Sequence, residues 1–330
     1  MQHDIGLGYS TQEDLGVSSL HDEELVFSDA EISSLRSWTQ EHAVQWTIQG
    51  EKDFHYKFLL IKSKPHIMYY KGNLNLLHQP ILGIVGPRDP SGYATQILQQ
   101  LFTYAQSYQL VTISGLAPGV DQLCHRLSLE HDIPTIAVLG GGLKYFLQST
   151  DRALIDRIVE HGGLVISEFK LPMKPEKYTF PQRNRIIAGL SDVLFLPEAG
   201  ANSGSLITAN FALEMSKPVY GVPNSITAEK SKGLHELMAK GQIKMVLDME
   251  QFLDSRFTKK EKYSSSPIRE DLTVQEKKLL EAVAAQESCQ LADLMGVEDI
   301  SSQELITSLT FLEMKGYIYQ EAPGVYKVAI

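Results

Sequence analysis

Cysteine is almost missing from this chain. Cys124 and Cys289 stand far apart among 330 residues, which excludes a disulfide framework and a multi-cysteine zinc site and fits a reducing compartment. Long apolar runs are lacking as well. None approaches the roughly 20 residues that a membrane-spanning helix needs, so a soluble, cytoplasmic protein with no membrane partner is expected. The ten histidines form no HExxH or other paired-ligand spacing, and no metal is expected. Neither GxGxxG nor GxxxxGK(S/T) occurs, which removes the common signatures of dinucleotide and nucleoside-triphosphate binding. No cofactor is expected.

Basic residues are outnumbered, thirty against forty acidic, for a net charge of −10. The imbalance is uneven, however. Residues 1–80 carry six Lys/Arg against eleven Asp/Glu, residues 81–270 twenty against nineteen, and residues 271–330 four against ten. Within the middle block, Glu168 to Arg185 holds Lys170, Lys174, Lys177, Arg183 and Arg185 against two acids. A near-neutral domain with one basic stretch can hold a polyanion locally while the rest of the chain repels it.

The middle block alternates apolar strands with amphipathic helices. Strands are expected at Ile81 to Gly86, Leu110 to Ile113, Thr135 to Leu139, Leu164 to Ile166, Val193 to Leu196, Val219 to Val222 and Lys244 to Leu247. Between them, helical spacing runs over Tyr93 to Ser107, Gly119 to Leu129 and Asp151 to Glu160. Strands apolar on both faces, separated by helices, predict an α/β protein built on a doubly wound, mainly parallel sheet.

The segment Phe180 to Ala209 is the most informative. It sets a basic cluster, a buried strand and a Gly/Ser helix start in succession. Ser203-Gly204-Ser205 opens a helix whose free backbone N–H groups and positive dipole end favour an anion. Three further turns are marked by glycine at strand ends: Gly86-Pro87-Arg88, Ser114-Gly115-Leu116 and Gly140-Gly141-Gly142. Lysine and arginine would supply a sequence-independent phosphate attraction, and Phe180 a face for one base. Structural readings stand beside these. Phe180 is alternatively a core aromatic, and Arg185 alternatively pairs with Glu168 or Glu198 merely to shape the crevice.

GIVGPR at 83–88, SGLAPGVDQLCHRLSL at 114–129, TIAVLGGGL at 135–143, SEF at 167–169, FPQRNRIIAGLSD at 180–192 and EAGANSGSLITANFALE at 198–214 resemble the DNA processing protein A family, DprA or Smf. The resemblance runs over roughly residues 55–330. It implies a Rossmann-like domain over 55–254 that binds single-stranded DNA without sequence preference, delivers it to the recombinase RecA in natural transformation and recombination, and catalyses no covalent step. It also implies a homodimer formed through that domain. Carried over by motif, the DNA contacts would be Arg88, Ser114, Gly115, Lys177, Phe180, Arg183, Asn184 and Arg185, with Ser203, Gly204, Ser205 and Thr208 beside them.

Departures bear on binding strength. Pro118 stands where the family usually has an arginine, and Arg126 farther along reads as solvent-facing. Asp121 and His125 lie one helical turn apart, a spacing shared by acid–base pairs, but no nucleophile accompanies them. A phosphoribohydrolase-like enzyme of related fold would need a catalytic glutamate where this chain has Thr208. A nucleotide sensor using the same crevice is the other alternative.

The flanks carry weaker signals. Residues 1–54 are expected as a helical extension, with a helix over Asp29 to His42 capped by Ser28 or Asp29. Residues 255–270 read as a linker, with Ser264-Ser265-Ser266-Pro267 near its end. Residues 271–330 follow the order of a winged helix: three helices over Thr273 to Gln286, Gln290 to Met295 and Ser302 to Lys315, then strands at Tyr317 to Gln320 and Val325 to Ala329. Its would-be recognition helix carries Glu304 and Glu313 with only Lys315 positive, which favours protein contact or charge mimicry over duplex binding.

Overall fold

A computed structural model describes residues 29–260, 272–285, 289–295, 302–315, 317–322 and 324–328. The expected cap at Ser28 and most of the expected linker lie outside the described residues. The chain divides into two compact units at Lys259/Lys260.

The first unit is built on nine strands. They are β1 (Gln45–Ile48), β2 (Ile67–Gly72), β3 (Ile81–Ile84), β4 (Val111–Ser114), β5 (Thr135–Val138), β6 (Leu164–Ser167), β7 (Val193–Leu196), β8 (Val219–Gly221) and β9 (Lys244–Met245). Their order across the sheet is β1-β2-β6-β5-β4-β3-β7-β8-β9. From β6 to β9 every pairing is parallel, as the doubly apolar strands predict. β2 runs antiparallel to β6, and β1 antiparallel to β2.

The helices are α1 (Asp29–Glu41), α2 (Tyr56–Leu59), α3 (Gly92–Ala105), α4 (Val120–Glu130), α5 (Leu143–Phe146), α6 (Arg152–Glu160), α7 (Thr179–Leu190), α8 (Gly204–Glu214), α9 (Lys232–Ala239) and α10 (Met249–Asp254). Side chains alternate along each strand and feed separate cores. Leu194 and Leu196 of β7 pack with Ile186, Ile187 and Leu190 of α7 and Ala209 of α8. Val193 and Phe195 face the other way, toward Leu98 and Phe102 of α3 and Phe252 of α10. Each such fully buried side chain contributes about 1.5–3 kcal/mol. Helices therefore cover both faces, and the sheet is held rigidly at its centre.

Two differences from the sequence expectation concern the flanks of this unit. Residues 1–54 were expected as a helical extension, yet β1 joins the large sheet, and Leu35 and Trp38 of α1 are buried in one core with Ile48, Ile67 and Tyr69. The start of the expected linker is also structured. Phe257 is buried with Phe252, and the Gln109 amide donates to the Thr258 carbonyl at 2.8 Å.

The second unit contains α11 (Val274–Ala284), β10 (Cys289–Gln290), α12 (Leu291–Leu294), α13 (Ser302–Met314), β11 (Ile318–Ala322) and β12 (Val325–Val328). Thr273 and Glu276 form a reciprocal capping box that starts α11. The strands make a small antiparallel sheet in the order β10-β12-β11. Leu279, Val283, Leu294, Leu309, Leu312 and Ile318 form its core.

Candidate functional site

β3 pairs with β4 on one side and β7 on the other. The chain thus turns away in opposite directions after β3 and after β7, which opens a crevice beyond the strand ends, the usual ligand position in such sheets. A cavity of about 530 Å³ lies there. Of the expected contacts, Arg88, Phe180, Arg183, Asn184, Ser203, Gly204, Ser205 and Thr208 line it; Ser114, Gly115, Lys177 and Arg185 do not.

Arg88 follows β3 and is exposed. Its guanidinium sits over the Phe180 ring, 4.8 Å from the centroid. Phe180 is half-buried rather than a core aromatic, and its edge lies against Gly140 so closely that a Cβ there would approach Cδ1 to 3.1 Å. Glycine after β5 is what lets the ring lie down. On the far side of the Arg88–Phe180 pair is a second cavity of about 220 Å³, with Pro118, Tyr145 and Asp151 in its lining. The pair is a partition shared by two compartments. Pro118 brings no charge to the second one, and Arg126 points to Gln122 on the surface, 3.4 Å away.

The opposite wall is the amino end of α8. Ser203 caps it, accepting from the Ser205 amide at 3.3 Å. Gly204 faces open space, since a Cβ there would meet nothing within 4 Å. Nothing at Gly204 therefore screens the positive end of the helix dipole from an anion in the cavity.

The two arginines of α7 have partners within the fold. Arg183 is buried, its guanidinium donating to the Val138 carbonyl and lying 3.7 Å from the Asp121 carboxylate. Burial pushes the Asp121 carboxyl above its ordinary range, opposed chiefly by the Arg183 charge. Ser114 is itself buried and donates to the Ile84 carbonyl at 2.6 Å. Gly115 leaves the space that Arg183 and Asp121 occupy. Arg185 pairs with Glu168, both side chains largely buried, so the ion-pair reading of Arg185 is the one realised. Ser114, Gly115, Asp121 and Arg183 thus form the floor beneath the crevice. Lys177 is exposed on the loop ahead of α7, outside the cavity lining.

His125 completes this floor. Its Nε2 bonds the Gly115 carbonyl and its Nδ1 the Thr135 hydroxyl at 2.8 Å. Burial lowers its pKa to about 4, so the ring is neutral at physiological pH. Asp121 and His125 each have their own structural partners, which accounts for their spacing. Among the described residues no group of three or more His, Cys, Asp or Glu could hold a metal ion, and no helix is long and apolar enough to cross a membrane.

Sequence reasoning missed Asp89 and Lys230 at the site and offered Glu198 only as a possible partner of Arg185. Glu198, at the end of β7, is buried and accepts from the Ser91 amide at 3.0 Å and hydroxyl at 2.7 Å, which ties the α3 start to the opposite strand. Asp89 and Lys230 line the cavity and pair with each other. Only Glu198 had a local signal, its position directly after an apolar strand.

Comparison with known proteins agrees with this architecture. The family model described as DNA recombination-mediator protein A matches residues 45–256. The chain belongs to this family. It is 33% identical over 314 residues to protein Smf of Escherichia coli, covering 92% of the chain and 82% of that relative. It is 39% identical over 181 residues to DNA processing protein DprA of Streptococcus pneumoniae, covering 55% and 64%. Among solved structures, the Streptococcus pneumoniae DprA superposes with a TM-score of 0.62 at 33% identity over 70% of this chain and 78% of that one. DprA of Helicobacter pylori, whose structure concerns its single-stranded DNA binding mode, gives 0.57 at 29% over 64% and 95%. Membership of the DprA family therefore covers β1 through α10, the whole of the large sheet.

Proposed function

We propose that this chain binds single-stranded DNA without sequence preference in the crevice between β3 and β7, as a DNA-processing protein with no covalent chemistry of its own. The observation that carries the reading is the Arg88 guanidinium stacked on Phe180, facing the open Gly204 end of α8. A cation, a π-face and the positive end of a helix dipole are features that a strand of nucleotides engages through phosphate and base. Lys177 and the other exposed lysines of the loop before α7 extend the track. Ser114, Gly115 and Arg183 hold its floor. The Helicobacter pylori relative supports the choice of ligand.

The remaining assignments rest on the family: delivery of the strand to RecA during transformation or recombination, a homodimer made through the Rossmann-like unit, and a cytoplasmic location. The C-terminal unit, residues 271–330, is assigned as a winged-helix module that contacts protein. The order helix, short strand, two helices and hairpin supports that assignment.

The test is fluorescence anisotropy with oligo-dT and a duplex of equal length at two salt concentrations. Tight, salt-sensitive binding of the single strand, lost in Arg88→Ala and Lys177→Ala, is expected. Failure on both substrates together with retention of AMP would favour the nucleotide-sensor reading, since about 530 Å³ also accommodates a small ligand.

A further inference from the structure

We propose that Lys230 is a phosphate-binding residue of the crevice and that Asp89 is its built-in competitor, a carboxylate standing where a nucleic-acid phosphate binds. The inference rests on the single-strand reading above and adds a third wall to it.

Lys230 lies on a short 3₁₀ turn, Glu229–Ser231, that follows β8. Glycine at 233, where a Cβ would come within 2.6 Å of the Gly200 carbonyl, lets the chain just after this turn pack against the Gly200 turn. Its Nζ reaches across the mouth to the Asp89 carboxylate at 2.7 Å and the Asp89 carbonyl at 2.8 Å. Both residues line the cavity that Arg88 and Gly204 line.

The two bonds differ in what a ligand does to them. The Asp89 side chain is 91% exposed and rotates away freely. The carbonyl belongs to a backbone held on one side by the Arg88–Phe180 stack and on the other by the Glu198 clasp on Ser91. When the carboxylate leaves, the carbonyl keeps the ammonium over the opening, with N–H groups to spare for a phosphate oxygen. The neighbouring Glu229 is itself paired with Lys232 at 2.7 Å, so it makes little claim on Lys230. An exposed pair of this kind is weak. Displacing Asp89 costs a ligand no more than about fivefold in affinity, whereas the cation gained adds to the salt-dependent attraction.

The experiment is anisotropy of the full chain with a fluorescent oligo-dT across a salt series. It compares wild type with Lys230→Gln, Lys230→Arg, Asp89→Asn and the double variant Asp89→Asn/Lys230→Gln. Lys230→Gln is expected to weaken binding about threefold to tenfold and to reduce the slope of log affinity against log salt by about 0.7, the loss of one phosphate contact to a single strand. Lys230→Arg restores both. Asp89→Asn tightens binding, and tightens it less when Lys230 is already Gln. The proposal is overturned if wild type binds while Lys230→Gln changes neither affinity nor slope, or if Asp89→Asn weakens binding as Lys230→Gln does, because the pair would then be only a structural tether. Absence of binding by wild type would instead remove the single-strand reading, and this one with it.

Discussion

Arg88 and Arg183 reach the same crevice from different elements and do opposite things. Arg88 leaves a strand end, meets an aromatic face and stays in water. Arg183 leaves a helix, meets a carboxylate and a carbonyl, and is sealed in. A guanidinium near a binding site is thus a contact or a strut according to what the rest of the fold brings to it. Bringing Asp121 from α4 and Val138 from β5 makes Arg183 a strut.

The largest expected effect breaks the strut. Arg183→Met leaves Asp121 buried without its counter-charge, and a loss of about 3–5 kcal/mol in unfolding free energy is expected, read by urea denaturation. Arg88→Ala should leave the same measurement within about 0.5 kcal/mol of wild type. Equal losses in the two variants would erase the distinction between strut and contact.

Acid sharpens the comparison next, because it acts on the floor. Burial sets the folded pKa of His125 at about 4 against 6.5. The unfolded chain therefore binds a proton that the folded chain refuses. This contribution is complete above pH 6.5 and is lost as pH falls toward about 4, amounting to about 3 kcal/mol. His125→Gln should flatten that part of the stability–pH curve. A curve unchanged by the substitution would place the acid sensitivity elsewhere.

The contact side gives the next effect. Phe180→Ala is expected to cost about 1–3 kcal/mol of single-strand affinity with little change in unfolding midpoint, measured by anisotropy and thermal melts on the same preparation. The smallest effect concerns Arg185 and Glu168. Glu168 Oε1 and Arg185 Nη1 are buried without hydrogen-bond partners, so the pair is incompletely satisfied. Arg185→Met alone should destabilise, whereas Glu168→Gln/Arg185→Met should return to within about 1 kcal/mol of wild type.

Much of this molecule was legible before its structure. The strands at Ile81, Val111, Thr135, Leu164, Val193 and Val219 announce themselves because both of their faces are buried, and alternation with helices then dictates parallel pairing. The crevice was legible for the same reason, since Ser203-Gly204-Ser205 follows an apolar strand. β1 and β2 were not. Gln45–Ile48 is short and begins with a polar residue, and its strand character comes from pairing with Tyr69 and Tyr70. The fate of Arg183 was hidden, and that of Arg185 was legible only as an alternative. Their spacing on α7 separates them by about half a turn, but their burial depends on Asp121 and Glu168, which arrive from α4 and the end of β6. Lys230 was invisible because nothing near it in sequence marks a site.

Glu198 has one more effect. Its carboxylate follows β7 and grips the capping residue of the helix that follows β3, so the jaws of the crevice are fastened to each other. The opening has a fixed gauge. A ligand finds the walls already spaced, little ordering entropy remains for the protein to lose on association, and the strand supplies most of the adaptation.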